Sequence, residues 1–184
     1  MKLYRIESTI NHHDNLAGFA KDDKDVYAFF KQNKGEEEKI RKRDLRFIAG
    51  KGYNLSNIDK TDFIKSSTAL LFSKKFYERL GEKLSQDMLF IPCKLMCDNT
   101  AIDWYAVRIK NRAQIVDEEA STYRTLSDGT KIIQFARYKK DVSDTFYIAE
   151  DTAWHSYYRV SELFKELCDT NDIHISFKEP EITF

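Results

Sequence analysis

The segment Asp151–Tyr157 brings an acid, an imidazole and a hydroxyl close together in the chain, next to large aromatic rings. A nucleophilic site would pair Ser156 or Cys168 with His155 and Asp151. The segment contains neither a nucleophile-elbow motif nor a glycine that would help to form an oxyanion hole. Nucleophilic catalysis is therefore the weaker interpretation of this loop, although it stays open.

The aromatic residues of the same loop suggest a second role. Trp and Tyr are over-represented among the residues that contribute most of the energy at protein interfaces. Trp154 and Tyr157 therefore make the segment a candidate partner-binding loop. The structural alternative is that Trp154 and Tyr158 only cover the hydrophobic core.

Two short patterns invite a metal interpretation. His12, His13 and Asp14 are all ligand types, but adjacent residues of an extended chain point to opposite sides, and no Cys or second His cluster lies at zinc spacing. Cys93 and Cys97 are too far apart for a C-x-x-C knuckle, and on a strand they would share one face. We predict a polar loop, two buried core thiols, and neither a metal nor a cofactor.

A dense run of charge occupies Glu36–Arg46, acidic at its start and basic at its end. The basic part of this run, Lys39–Arg46, could face RNA or an acidic protein surface. Glu37 and Arg43 are the candidate contact residues of the whole run. The default interpretation is a solvated helix face with charges that suit the helix dipole. Gly50-Lys51-Gly52 lacks the frame of a phosphate-binding loop and predicts a turn.

The totals limit the possible classes of protein. The chain has 184 residues, 42% of them hydrophobic, which is enough for one domain with its own core. Its 30 basic and 30 acidic side chains balance, which argues against a dedicated nucleic-acid binder. The odd count of cysteines fits a reducing compartment. No signal-peptide core or spanning segment is visible, so we expect a cytoplasmic chain without a membrane partner.

The C-terminal block predicts a helix followed by a strand. Ser161 is a good N-cap, and apolar residues at helical spacing run from Val160 to Cys168. The polar segment Asp169–Asp172 ends the helix. Alternating apolar residues in Ile173–Phe177 then predict a half-buried strand.

Elsewhere the pattern predicts helices first and strands later. The other predicted helices are Lys24–Asn33 and Ser73–Leu84. The other predicted strands are Lys2–Ser8, Met88–Cys97, Ile102–Lys110, Lys131–Tyr138 and Thr145–Ala149. Pro92 predicts a bulge or an edge position. Thr9–Ala20 and Phe47–Asn57 carry no such pattern and are expected to be irregular. This order predicts an α+β fold with a central antiparallel sheet, a meander built from Met88–Ala149 and the last strand, on which the helices pack.

Several segments of the later part of the chain also carry a family resemblance. They are Leu71-Phe-Ser-Lys-Lys-Phe-Tyr-Glu-Arg-Leu80, Ile115-Val-Asp-Glu-Glu-Ala-Ser121, and Tyr158-Arg-Val-Ser-Glu-Leu-Phe-Lys-Glu-Leu167 with the strand that follows it. Through them, the run Phe72–Phe177 resembles the immunity proteins of bacterial polymorphic toxin systems, notably families eleven and forty-three. The chain departs from that pattern at His174-Ile175-Ser176, where such families often carry a glycine.

The resemblance implies a cytoplasmic, non-enzymatic protein that binds a cognate toxin domain and blocks it. It would be one α+β domain over residues 1–184, with 61–184 as the family-like core and 1–60 as a less typical part. The expected partner-binding residues are Asp151, Trp154, His155, Tyr157, Glu37 and Arg43. Two alternatives remain open: a small hydrolase or transferase that uses His155 with a nearby carboxylate, and a non-catalytic accessory protein of a phage or defence locus.

Overall fold

The computed structural model describes residues 1–179 of the chain. Four α-helices lie in this range: α1 (Lys24–Lys31), α2 (Glu37–Arg41), α3 (Lys74–Leu80) and α4 (Glu162–Thr170). The first seven strands are β1 (Leu3–Glu7), β2 (Ala17–Phe19), β3 (Arg46–Ala49), β4 (Phe63–Lys65), β5 (Leu70–Ser73), β6 (Met88–Cys97) and β7 (Thr100–Ile109). The others are β8 (Arg112–Ala113), β9 (Thr122–Thr125), β10 (Lys131–Phe135), β11 (Ile148–Asp151), β12 (Tyr158–Ser161) and β13 (Ser176–Lys178).

These strands form two mixed sheets and a separate hairpin. The large sheet has the order β2-β3-β6-β7-β5-β4, and the small sheet has the order β13-β1-β12-β11-β8. Most neighbours are antiparallel, but β3 runs parallel to β6 and β8 runs parallel to β11. β9 and β10 pair only with each other. The α+β class is confirmed.

The helices pack on an antiparallel-rich sheet as predicted, but the strands of Met88–Ala149 and the last strand do not all belong to it. The segment Met88–Ala149 supplies strands to both sheets and to the hairpin, and β13 pairs with β1 instead of with β6 or β7. Two segments that we expect to be irregular contribute strands: most of β3 lies in Phe47–Asn57 and β2 lies in Thr9–Ala20, and the two strands pair at the edge of the large sheet. These short strands are specified by their distant partners, which a local pattern does not reveal.

A long hairpin of β6 and β7 is the centre of the large sheet. Its turn is made by Asp98 and Asn99, both with positive φ (48° and 61°), as a tight hairpin turn requires. Pro92 pairs with Tyr105 without a shift of register, so no bulge forms there. β3 pairs with β6 only at Lys94–Met96, and the Lys94 amide donates on that side, so the missing N–H of Pro92 faces the same edge beyond the end of β3.

The helices start where the sequence predicts. Asp23, Ser73 and Ser161 each cap a helix by accepting from backbone amides of its first turn. The helix that starts after Ser73 ends at Leu80, earlier than predicted, and Gly81 is its C-cap. The charged segment Glu36–Arg46 forms only the five-residue helix α2.

Two large apolar clusters fill the molecule. One lies between the two sheets and includes Ile148 and Val160 of the small sheet, Phe72 and Phe90 of the large sheet, and the buried faces of α3 and α4. The other covers the opposite face of the large sheet with side chains of α1 and α2. The first 60 residues contribute β1 to the small sheet and β2 and β3 to the large one, so they are built into both layers.

Cys93 and Cys97 both lie in the second cluster, which confirms that they are buried core thiols. Burial raises the pKa of the Cys93 thiol to about 12. Cys168 is buried in the first cluster, and burial raises its pKa as well. Within residues 1–179, no helix is long and apolar enough to cross a membrane.

Candidate functional site

The loop after β11 is held from below by one buried carboxylate. Asp151 is 1% exposed. Its Oδ1 accepts from the amides of Ala153 and Trp154 at 2.9 and 3.0 Å, and its Oδ2 accepts from the amides of Ile115 and Val116 at 2.9 and 2.8 Å. Both oxygens of Asp151 are therefore buried and occupied by backbone amides of the chain itself, and its contact with a partner stays a prediction. Asp151 positions the loop.

The loop is closed by its own backbone and by an aromatic contact. Asp151 N–H donates to the Tyr157 carbonyl at 2.8 Å, and Tyr157 N–H donates to the Trp154 carbonyl at 2.9 Å. The Tyr157 ring is half-buried, with its centroid 6.3 Å from that of Tyr138. The backbone between Asp151 and Tyr157 is thus a compact turn closed by its own hydrogen bonds.

Trp154 joins this loop to the β9–β10 hairpin. Its ring centroid is 5.7 Å from that of Tyr123, and Lys131 Nζ lies 3.8 Å from the centre of the Tyr123 ring. The indole Nε1 is buried and finds no hydrogen-bond partner within residues 1–179. Trp154 therefore does more than cover the core, since its ring makes a continuous surface of loop and hairpin.

The hairpin itself carries apolar side chains into solvent. Phe135 on β10 is 62% exposed, and Leu126 at the tip is also exposed. Its two strands have no partner in either sheet. We call the set Tyr123, Lys131, Phe135, Trp154 and His155 the aromatic–basic surface.

His155 is exposed beside Arg112 of β8. Its Nδ1 is the ring nitrogen closer to Arg112 Nη1, and they form a hydrogen bond. A guanidinium can only donate, so Nδ1 is the acceptor in this hydrogen bond. This contact, together with the occupied oxygens of Asp151, contradicts a triad of Asp151, His155 and Ser156.

Arg112 connects His155 to a buried carboxyl that the sequence did not single out. Glu150 is 6% exposed; its Oε2 accepts from Asn33 Nδ2 at 2.7 Å and lies 3.8 Å from Arg112 Nη2. Burial raises the pKa of Glu150 to about 7, although Arg112, Asn33 and Lys31 all act to lower it. Asn33 follows α1 and has a φ of 55°. Its hydrogen bond to Glu150 connects the end of this helix to β11.

The charges of two further cations, Lys31 and Arg108, act to lower the pKa of Glu150. Burial lowers the pKa of Lys31, the last residue of α1, and the neighbouring charge of Lys65 lowers it further. Burial also lowers the pKa of Arg108, whose guanidinium lies 4.3 Å from the centre of the Phe29 ring. We call the group of Lys31, Asn33, Arg108, Arg112 and Glu150 the ionic cluster. The local sequence indicates this cluster only through the acid that follows the apolar pair Ile148–Ala149, because its members come from distant parts of the chain.

The two predicted contact residues of the charged segment lie apart from each other. Arg43 forms ion pairs with Asp23 and Asp25 at the start of α1. Glu37 pairs with Arg41 at 2.6 Å, and its charge also raises the pKa of Arg108. Arg43 thus lies at the start of α1, whereas Lys31 and Asn33 of the ionic cluster lie at its end.

The other two motifs of the sequence, His12–Asp14 and Gly50–Gly52, have structural roles. The rings of His12 and His13 stack 4.2 Å apart, and His12 Nδ1 accepts from the Asp14 amide at 3.0 Å. No three His, Cys, Asp or Glu residues within the described range are grouped as metal ligands. Gly50 and Gly52 lie in the predicted turn. A Cβ on Gly50 would be 2.4 Å from the Leu16 carbonyl oxygen, and a Cβ on Gly52 would be 2.7 Å from the His12 Cβ.

Comparisons with known proteins add no family to this description. No protein-family model matches the chain, and no curated protein matches it.

Proposed function

We propose that this chain is an immunity-type protein that binds a cognate bacterial toxin domain in the cytoplasm and neutralises it by direct contact. The aromatic–basic surface is the proposed contact region. The family resemblance of the sequence gives the class of partner, and the geometry of the loop and hairpin gives the mode of recognition.

The observation that carries the proposal is the preformed loop. Four amide hydrogen bonds to Asp151 fix the backbone from Ala153 to Trp154 and join it to the segment Ile115–Val116. A surface that is ordered before binding loses little conformational entropy on association. Exposed aromatic side chains on such a surface are the usual anchors of a tight interface.

The charges nearby suit an acidic partner. Lys131 is exposed beside the Tyr123 ring, and Arg112 is exposed beside the His155 imidazole. Complementary charge speeds the encounter of two proteins and fixes their register. We therefore expect the toxin face to be acidic around an apolar centre that receives Phe135.

The experiment is co-purification with the product of the neighbouring gene, followed by rescue of growth when that product's toxic domain is expressed. We expect a stable complex and full rescue by the wild-type chain. Phe135→Ala and His155→Ala should each weaken the complex at least tenfold, about 1.4 kcal/mol, with an unchanged melting temperature.

Tyr27→Ala is the matched control, because Tyr27 is 48% exposed on α1 and lies outside the aromatic–basic surface. It should bind and rescue like the wild type. Full affinity in the folded Phe135→Ala and His155→Ala variants would remove this surface from the proposal. The absence of both complex and rescue would reject the immunity function.

The alternative enzymatic function has one observation in its favour. Glu150, with a pKa of about 7, has the acidity of a general acid–base, and Arg112 connects it to His155. His155 nevertheless faces a guanidinium and not the carboxyl, so a His–carboxylate pair is not assembled. This alternative would be favoured over the binding function if the chain bound no toxin and had a hydrolytic activity that Glu150→Gln abolished.

A further inference from the structure

The β9–β10 hairpin leaves one long strand edge unpaired. β10 has five residues, and it pairs only with β9. The other strands that lie at a sheet edge among residues 1–179 are two to four residues long, namely β2, β4, β8, β9 and β13. β10 is therefore the longest edge strand that the structure describes.

The long strands of the large sheet have edges that the chain itself covers. Ala17 of β2 forms a bridge with Ser66, which follows β4, so the two outer strands of this sheet come together. Where β6 extends beyond β3, Pro92 has no N–H, and the Phe90 carbonyl accepts from Arg41 Nη2 at 3.0 Å. Native proteins commonly block strand edges in such ways. Apart from a register shift near its end, β10 has no such cover, because no hydrogen bond from outside the hairpin reaches its backbone within the described range.

The register of the hairpin determines which backbone groups of β10 face outward. Leu126 N–H donates to the Thr130 carbonyl at 2.8 Å, so these two residues close the hairpin as a hydrogen-bonded pair. In an antiparallel ladder such pairs alternate with pairs that make no hydrogen bond to each other. Lys131 and Ile133 belong to the second kind of pair, so their N–H and C=O groups point away from β9. These groups are available to a further strand.

The side chains of the hairpin indicate which kind of strand fits this edge. β10 is Lys131-Ile-Ile-Gln-Phe135, and its apolar side chains are half-buried or exposed. Arg124 and Lys131 are the only charged residues of β9 and β10, and both are exposed. Opposite charges on neighbouring strands stabilise their pairing, whereas like charges destabilise it. The edge is therefore complementary to an extended segment that combines apolar and acidic residues.

We propose that the outer edge of β10 is the docking site for an extended, acidic segment of a partner protein, which joins the hairpin as a third strand. Backbone hydrogen bonds to Lys131 and Ile133 supply affinity, and the side chains select the sequence of the added strand. A two-stranded hairpin is also stabilised when a third strand pairs with it. The inference rests on the proposed function for the identity of the partner, which is the toxin domain.

Amide hydrogen exchange tests this mode of docking directly. It is measured at one pH on the full chain, alone and in complex with the toxic domain encoded by the neighbouring gene. We expect the Lys131 and Ile133 amides to exchange about tenfold more slowly in the complex, because an added strand accepts from them. The Thr125 amide lies on the outer edge of β9, so its exchange should not change.

A pair of proline variants separates the two edges of the hairpin. Ile133→Pro removes an outward N–H and no hydrogen bond of the hairpin itself, so we expect the affinity for the toxin domain to fall about tenfold. Thr125→Pro is the matched control, since it removes an outward N–H from β9. Its affinity should stay within about twofold of the wild type. Amide spectra of both variants check that the hairpin is retained.

Synthetic peptides give a second measurement that does not need the toxin. A peptide that alternates valine and glutamate should slow exchange of the Lys131 and Ile133 amides in a saturable way. A peptide that alternates valine and lysine should not, because its charges are like those of Arg124 and Lys131.

The outcomes distinguish failure of this edge from failure of the immunity function. A toxin complex in which both β10 amides exchange as in the free chain, and which Ile133→Pro forms with full affinity, overturns the edge and leaves the immunity function intact. If no complex forms, the immunity function is rejected, and the acidic peptide then decides for or against the edge. Slow exchange that depends on the concentration of the chain alone would assign the edge to a second copy and overturn the acidic partner.

Discussion

Buried acidic residues fasten this molecule at the places where distant segments meet. Asp62 accepts from the His174 amide at 2.7 Å and from the Ser73 hydroxyl, and it pairs with Lys75 at 2.9 Å. Asp87 accepts from the Tyr147 amide at 2.6 Å. Like Asp151, each carboxylate satisfies backbone or hydroxyl donors of another segment, so its burial is offset by charge-assisted hydrogen bonds.

Glu150 differs from these aspartates, because its burial is not fully compensated. Its pKa is raised from 4.5 to about 7, with burial as the main cause. In the unfolded chain the carboxyl ionises near pH 4.5, whereas the folded chain keeps the proton until about pH 7. The folded state therefore binds more protons in this window, and the free energy of unfolding falls as the pH rises through it.

Glu150→Gln should remove this dependence. We expect the variant and the wild type to have similar unfolding free energies at pH 5, and the variant to be more stable by about 1–3 kcal/mol at pH 8. Denaturant unfolding at pH 5, 6, 7 and 8 measures the difference. A constant difference across that range would contradict a raised pKa for Glu150.

At the scale of the element, the loop after β11 depends on one side chain. In Asp151→Asn the new amide group cannot accept, so two of the four backbone N–H groups lose their partner. Unsatisfied buried donors cost about 1–3 kcal/mol each, and we expect the unfolding free energy to fall by about 2–4 kcal/mol. Denaturant unfolding at pH 7 measures this loss.

The same variant should also alter the aromatic–basic surface. Faster amide exchange at Ala153 and Trp154 would show that the loop has loosened, while exchange in β6 and β7 stays slow. Asp144→Asn is the control, since Asp144 is an exposed aspartate of the preceding segment. An Asp151→Asn variant as stable as the control would show that the carboxylate does not hold the loop.

The elements that the sequence predicts well are those whose signals are local. Helix starts at Ser73 and Ser161 follow from a capping side chain and an apolar stripe within one or two turns. β5 (Leu-Leu-Phe-Ser) lacks alternation, because apolar clusters cover both of its faces, so its pattern merged with the helix that follows. The short strands β2, β4 and β8 are defined only by pairing.

The site shows the same division. Trp154 and His155 were found because their residue types stand out in one loop. Glu150 and Asn33 were missed because the hydrogen bond between them spans 117 positions of the chain. The separation of Arg43 from the loop is equally a tertiary fact, set by its ion pairs at the start of α1.

At the scale of the whole molecule, the reactivity of the three cysteine thiols shows whether the two apolar clusters open together. Cys93 and Cys97 lie in one cluster and Cys168 in the other, and all are buried. Burial raises the pKa of each thiol, which removes the reactive thiolate at neutral pH. We expect none of the three to react with a disulfide reagent in the native chain, and all three to react in denaturant.

The rates of labelling, followed site by site by mass spectrometry, test the coupling. Because the large sheet has one cluster on each face, we expect equal rates that follow the global unfolding of the chain. Faster labelling of Cys168 than of Cys93 would show that the cluster between the sheets opens independently.

The position of β1 has a consequence for how the protein is made. Leu3 pairs with Ser161, and Ile6 pairs with Phe177, so the small sheet joins some of the earliest residues to some of the latest. Contacts between such distant residues slow folding, because a long loop must close before they form. During synthesis β1 has no partner strand until translation has reached β12 and β13. The small sheet can therefore be completed by β1 and β13 only after translation has passed Phe177.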